Sequence, residues 1–195
     1  MRLDLFRIPL IKCTNLNTKK TLDIFHHIKN TGEANIHSNR GGYQSRLLTA
    51  EEGQNIFIPT LMDPILTEIK NVYELSDPVM FELKGAWFNE NKKRDYNIAH
   101  IHPECNFALV WYLQVPEGSG EIIFEHPDNS YLMSFTPYLK CNKGSIGNPY
   151  HRESYSYMPK TGDLIAFPSN LRHRVEPYEG KDSRISLAFN IKFFN

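Results

Sequence analysis

Met80-Phe81-Glu82-Leu83-Lys84-Gly85-Ala86-Trp87-Phe88 is the stretch at which the chain changes its period. Apolar and polar residues alternate through its first half, the pattern of a strand rather than a helix. Downstream, strand signals recur at Asn106 to Val115, Glu121 to Glu125, Asp163 to Phe167, Arg172 to Pro177 and Arg184 to Phe194, with Gly, Pro and Asn between them. Short strands punctuated in this way predict a mainly β fold, a jelly roll or barrel. Pro116-Glu117-Gly118-Ser119-Gly120 is the tightest turn signal and predicts a link between two antiparallel strands.

Upstream, the period is helical. The run from Thr21 to Lys29 puts Leu22, Phe25, Ile28 and Ile24 on one face. Pro64 suits the first turn of a second helix, Pro64 to Tyr73, whose stripe is Ile65, Leu66, Ile69, Val72 and Tyr73. Residues 1–12 alternate enough to predict an edge strand. Two helices ahead of the strands predict helices packed on one outer face of the β core. Residues 1–195 read as a single domain, with 1–78 as a strand and helical part and 79–195 as a jelly-roll core. Residues 126–161 form a long connection that holds Tyr131, Tyr138, Tyr150, Tyr155, Tyr157, Met133 and Met158. A connection of that length is usually functional or partly disordered, as a lid over substrate or as a surface insertion packed by its own aromatics, and the resemblance given below favours the lid.

The chain is 41% apolar and carries zero formal net charge. No apolar run is long enough for a membrane span, and no basic block marks a nucleic-acid footprint. Cys13, Cys105 and Cys141 are odd in number and scattered, which excludes a disulfide framework and favours a reducing compartment. The N-terminus does not read as a signal peptide, so the expected location is cytoplasmic. Nothing in the sequence decides an oligomeric state; a homodimer is carried as an expectation.

The chemistry centres on His100-Ile101-His102-Pro103-Glu104. Residues two apart on an extended strand point to one side, so His100 and His102 can reach one metal ion. His173 follows the strand Asp163 to Phe167, and Arg184 opens the next strand. A close histidine pair, a distant histidine and a following arginine describe a metal site beside an anion pocket. Imidazole suits iron, zinc, copper and nickel, so these residue types do not choose the metal. His26 and His27 are helix neighbours that face different sides and read as surface residues. His126 and His151 stand at the ends of the long connection and read as non-ligands.

Three separated blocks carry a resemblance. The first is Ser38-Asn39-Arg40-Gly41-Gly42-Tyr43-Gln44-Ser45. The second comprises Ala86-Trp87-Phe88-Asn89, His100-Ile101-His102-Pro103, Trp111-Tyr112-Leu113 and Gly120-Glu121-Ile122-Ile123-Phe124. The third is Gly162 to Ser169, His173, Val175, Pro177 and Arg184-Ile185-Ser186 through Asn190. In order and spacing the chain resembles the iron(II)- and 2-oxoglutarate-dependent oxygenases, within them a group found in bacteria and phages. It departs from that group at Ala108 and Leu109, where Ser-Gly is usual, and at Tyr43 and Asn170, where tryptophan is usual.

The resemblance implies a double-stranded β-helix and an enzyme that uses iron(II), 2-oxoglutarate and dioxygen. Such an enzyme releases succinate and carbon dioxide and hydroxylates a C–H bond. It also implies a three-ligand protein face. His100, His102 and His173 form one such set, which the group's own His-x-His favours; His102, Glu104 and His173 form the alternative. Arg184 would take the remote carboxylate of 2-oxoglutarate with its planar fork. Ser186, Tyr112 and Asn190 would complete that pocket. Competing readings are a metal-free jelly-roll binding module and a cupin-type metalloenzyme that does not use 2-oxoglutarate.

Overall fold

The computed structural model describes residues 7–32, 34–76, 78–128 and 152–194. Its elements run β1 (Ile11–Cys13), α1 (Lys19–Thr31), β2 (Asn39–Arg40), β3 (Tyr43–Gln44), α2 (Ala50–Phe57), a π-helical turn (Ile58–Met62) and α3 (Asp63–Tyr73). They continue β4 (Met80–Asn91), β5 (Tyr96–His100), β6 (Phe107–Gln114), β7 (Ile122–Glu125), β8 (Ser154–Tyr157), β9 (Leu164–Pro168), β10 (His173–Val175) and β11 (Arg184–Phe194). A six-stranded sheet, β1-β9-β6-β11-β4-β3, faces a five-stranded sheet, β2-β5-β10-β7-β8. This is the predicted jelly roll with helices on one outer face.

The two faces of β11 show what the alternation does. Ile185, Leu187, Phe189 and Ile191 are buried in the larger apolar cluster with Phe25 and Ile28 of α1, Phe57 of α2, Leu61 of the π-turn and Ile65 and Ile69 of α3. Burying each such side chain contributes roughly 1.5–3 kcal/mol. Arg184, Ser186, Ala188 and Asn190 alternate with them and face the other sheet. There a smaller cluster, including Tyr112, Ile165 and Phe167 with Ile122 and Phe124 of β7, fills the gap between the sheets. One strand therefore separates the helix-side core from the interior of the roll.

Several expectations are corrected. The edge strand is Ile11–Cys13, paired with β9, and Arg7 to Leu10 lie before it. Residues 1–6 lie outside the described residues. Residues 50–62, not predicted as helical, run through α2 and the π-turn into α3. The α3 stripe buries Ile65 and Ile69, but Val72 is 48% and Tyr73 40% exposed, because the helix ends at Glu74 beyond the sheet's cover. Pro116 to Gly120 does not close a hairpin: β6 pairs with β9 and β11, whereas β7 pairs with β10 and β8. The turn carries the chain from one sheet to the other. Within 126–161, Ser154–Tyr157 is a strand, paired with β7. The lid expectation falls mainly on 129–151, outside the described residues, as does His151. No helix among the described residues is long and apolar enough to cross a membrane.

Candidate active site

β5 and β10 position the histidines. His173 pairs with His100, and Val175 pairs with Asn97, so three steps on β5 span two on β10. This bulge lets Asn97 and His100 face the same side although they are three residues apart. β5 ends at His100, and His102 lies beyond it in the turn that Pro103 and Glu104 continue. His102 therefore does not reach the site by strand alternation. Its backbone N–H donates to the Ser169 carbonyl at 2.9 Å, which ties the turn to the loop before β10.

The three imidazoles converge, with ligand atoms within 4.8 Å of one another, and they are the only such group among the described residues. His102 Nε2 and His173 Nε2 are 3.3 Å apart. Two nitrogens about 2.1 Å from one ion and near a right angle lie about 3 Å apart, so that pair already stands at ligand spacing. His100 Nδ1 lies 2.7 Å from the Ile98 carbonyl, and His173 Nδ1 lies 2.9 Å from the Leu171 carbonyl. A carbonyl at Nδ1 holds the proton there and turns the Nε2 lone pair toward the centre. Burial, reinforced by the charge of His100, lowers His102 to about 4; burial, with the other two imidazoles, lowers His173 to about 3. His100 is lowered too, chiefly by burial. All three are thus kept neutral, the form that binds a metal. Glu104, the alternative ligand, is exposed, has a φ of +65° and stands outside this group.

Aromatic side chains that the sequence reading left unassigned wall the triad. The Trp87 indole stacks on the His102 ring at 5.7 Å, and the Phe167 ring meets His173 edge-on at 4.7 Å. Trp87 lies on the inner face of β4, opposite Ala188. The signal was present in the quoted block Ala86 to Asn89, but strand parity was needed to read it.

Arg184 is 3% exposed. Its Nη1 donates to the Gly120 carbonyl at 3.0 Å and its Nη2 to Asn91 Oδ1 at 2.8 Å, while Nε has no partner. Among the described residues no carboxylate pairs with it. Burial lowers its pKa, and Tyr112 and Tyr178 oppose that shift. A buried cation with only neutral acceptors and a free N–H is a fit for an incoming carboxylate. Ser186 and Tyr112 face each other on β11 and β6 beside it. Asn190 does not join them: it lies six residues along β11, about 20 Å at strand rise, toward the triad end. Its Oδ1 is buried without a partner.

Asp163, which the sequence reading did not assign, closes the wall near Tyr112. It accepts from the Tyr157 hydroxyl at 2.6 Å and the Lys160 N–H at 2.9 Å, which ties β8 to the start of β9.

The family described as "Putative 2OG-Fe(II) oxygenase" matches residues 85–190, more than half of the chain. No curated protein matches it by sequence. Among solved structures it is similar to a 2OG-Fe(II) oxygenase family oxidoreductase from Burkholderia pseudomallei, at 13% identity and a TM-score of 0.61, with 94% of this chain and 84% of that one covered. It is also similar to the viral collagen prolyl hydroxylase of Paramecium bursaria Chlorella virus-1, in its 2OG complex, at 17% identity, TM-score 0.58 and 93% and 94% coverage. A third is HygX from Streptomyces hygroscopicus with iron bound, at 9% identity, TM-score 0.58 and 95% and 82% coverage. At these identities the structural likeness shows the fold, and the match over 85–190 shows the family. On that match the chain belongs to the 2OG-Fe(II) oxygenases, oxidoreductases whose cofactor is iron(II) and whose cosubstrate is 2-oxoglutarate.

Proposed function

We propose that the protein hydroxylates an unassigned primary substrate, with His100, His102 and His173 holding iron(II) and Arg184 holding the remote carboxylate of 2-oxoglutarate. The observation that carries this reading is the pairing of three neutral, converging imidazoles with a buried guanidinium that has no carboxylate partner among the described residues. When bound, the metal and cosubstrate supply the oxidising chemistry, while the protein supplies position and exclusion of water. His100 and His173 are oriented for that role by the Ile98 and Leu171 carbonyls. Arg184 holds the cosubstrate in one register, with Ser186 and Tyr112 beside it. Phe124, Phe167 and Trp87 keep water from the triad.

The test is anaerobic titration of 2-oxoglutarate into iron(II)-loaded protein, followed by its weak visible charge-transfer band. A band that saturates supports the reading. Iron binding without the band points to a metalloenzyme that uses no 2-oxoglutarate, and no iron binding points to a binding module. The homodimer and the cytoplasmic setting stay proposals, checked by sedimentation and by cell fractionation.

A further inference from the structure

The inner face of the six-stranded sheet carries a row that these roles leave half used. Register sets Gln44 opposite Asn89, Asn89 opposite Ser186, and Ser186 opposite Tyr112. Residues paired directly across antiparallel strands share a face, so Gln44 points to the interior side of the sheet, as Tyr112 does. The next level toward the triad is that of Trp87, which stacks on His102. The next level the other way is that of Asn91 and Arg184. Gln44 therefore lies between the metal end and the anion end of the pocket, on the β3 flank.

The local sequence holds it there. Gly41 and Gly42 have φ of +70° and +66°, and a Cβ on either would strike the Asp95 carboxylate or the Glu90 carbonyl. Only glycine lets the turn between β2 and β3 lie so close to the β4–β5 connection. The Gln44 backbone carbonyl is used by the Asn35 N–H at 2.8 Å, so β3 does not depend on the side chain. Gln44 is 4% exposed, and its Oε1 has no partner. Among the described residues its Nε2 makes no hydrogen bond either. A buried amide left unpaired in this way is unfavourable and calls for an explanation.

We propose that Gln44, with Trp87 beside it, is the primary-substrate contact of this site, and that it takes a planar, uncharged –CO–NH– group. The proposal rests on the reading of the triad and Arg184 as the iron and 2-oxoglutarate pocket. A carboxamide with donor and acceptor both unused matches, through two antiparallel hydrogen bonds, an amide whose C=O and N–H lie on one side, as in a ring imide or a primary amide. A carboxylate would leave Oε1 facing a lone pair, and an ammonium would leave Nε2 unused. 2-Oxoglutarate offers acceptors alone, so it cannot satisfy Oε1. Between the levels of Asn190 and Arg184, the inner face of β3, β4, β11 and β6 carries one charged side chain, Arg184, which the cosubstrate already uses. The flat indole of Trp87 suits a planar group laid against it.

The experiment is anaerobic calorimetry on protein loaded with iron(II) and 2-oxoglutarate. The probes are uracil and N-acetylprolinamide, which present –CO–NH– with both groups on one side, on a ring imide and on a terminal carboxamide, with acetate and free proline as charged controls. At least one amide probe should bind and neither control should, and the probe that binds tells the two sources apart. Gln44→Leu should weaken that probe by about fivefold or more, while 2-oxoglutarate affinity stays within about twofold of the parent. Its melting temperature should equal or exceed the parent's, because an apolar side chain of similar size replaces an unpaired amide. Gln44→Glu, which keeps the shape and adds charge, should also lose the probe. Binding of neither amide, or unchanged binding in Gln44→Leu, overturns the proposal. So does a lowered melting temperature, which makes Gln44 structural. A fall in 2-oxoglutarate affinity as large as in Arg184→Lys places Gln44 in the cosubstrate pocket and overturns it too. Failure of the parent to bind 2-oxoglutarate is a separate result and removes the underlying reading.

Discussion

Arg184 is a buried cation held by two neutral oxygens, and that arrangement sets the sharpest expectation at the scale of residues. Arg184→Lys keeps the charge and loses the fork. One lost charge-assisted hydrogen bond is worth on the order of 1.5–3 kcal/mol, so 2-oxoglutarate affinity should fall about ten- to a hundredfold by titration calorimetry. Iron affinity should stay near the parent's. The ligand sets are separated by metal analysis: His100→Ala or His173→Ala should abolish stoichiometric iron(II) binding, whereas Glu104→Ala should retain it. Iron retained in both histidine variants would remove the triad. The residue types at this site were legible in the sequence, since His-x-His, a later His and Arg are local patterns. Their geometry was not. The bulge that aims His100 depends on pairing with β10, and the inward aim of Gln44 depends on β4, neither of which any local pattern contains.

Among the elements, α2 has a measurable cap. The Thr49 side chain accepts from the Glu52 N–H at 3.2 Å, and Glu52 accepts from the Thr49 N–H at 2.8 Å. Glu52 also pairs with Arg46 at 2.8 Å. Thr49→Ala should cost about 1 kcal/mol in denaturant unfolding. The hydrogen bond from Arg46, with the Thr49 backbone and the Arg46 charge adding to it, lowers Glu52 from 4.5 to about 2. A carboxylate depressed in the fold contributes stability that is fully present above 4.5 and is lost as pH falls toward 2. The contribution is small because the pair is largely exposed. Glu52→Gln should therefore flatten the acid limb of the stability curve between those values, read by unfolding at several pH settings. The cap was readable as Thr49-Ala50-Glu51-Glu52. It was obscured because Gly53 and Pro59 are local breakers that packing of Ile56, Phe57 and Leu61 overrides. The β6–β7 turn misled for a related reason: a tight turn reports a reversal of direction, and the choice of sheet is made by distant partners.

At the scale of the molecule, the site and the core share β11, so ligand binding and folding are linked. Cosubstrate at a hundred times its dissociation constant should stabilise the iron-loaded protein by about 2.7 kcal/mol, visible as a raised melting temperature. A chelator should reverse that gain. Phe189→Ala, on the helix side of β11, should destabilise by about 3–5 kcal/mol. Fold class was legible at this scale because β4 and β11 carry long alternation and β6 is a continuous apolar run, the mark of a strand buried on both faces. Sheet order was not, because it is set by which strands meet and no single strand encodes it.

The neutrality of the three imidazoles has an ionic consequence. On the proposed reading, with no carboxylate among them, a divalent cation and the Arg184 guanidinium would leave the pocket strongly positive until the cosubstrate binds. Before 2-oxoglutarate enters, such a pocket would attract small anions generally rather than selectively. Sulfate and succinate should therefore compete with 2-oxoglutarate, and raising either at constant ionic strength should raise its apparent dissociation constant. Product would then leave slowly, and the salt composition of the buffer would govern how fast the enzyme can be reloaded.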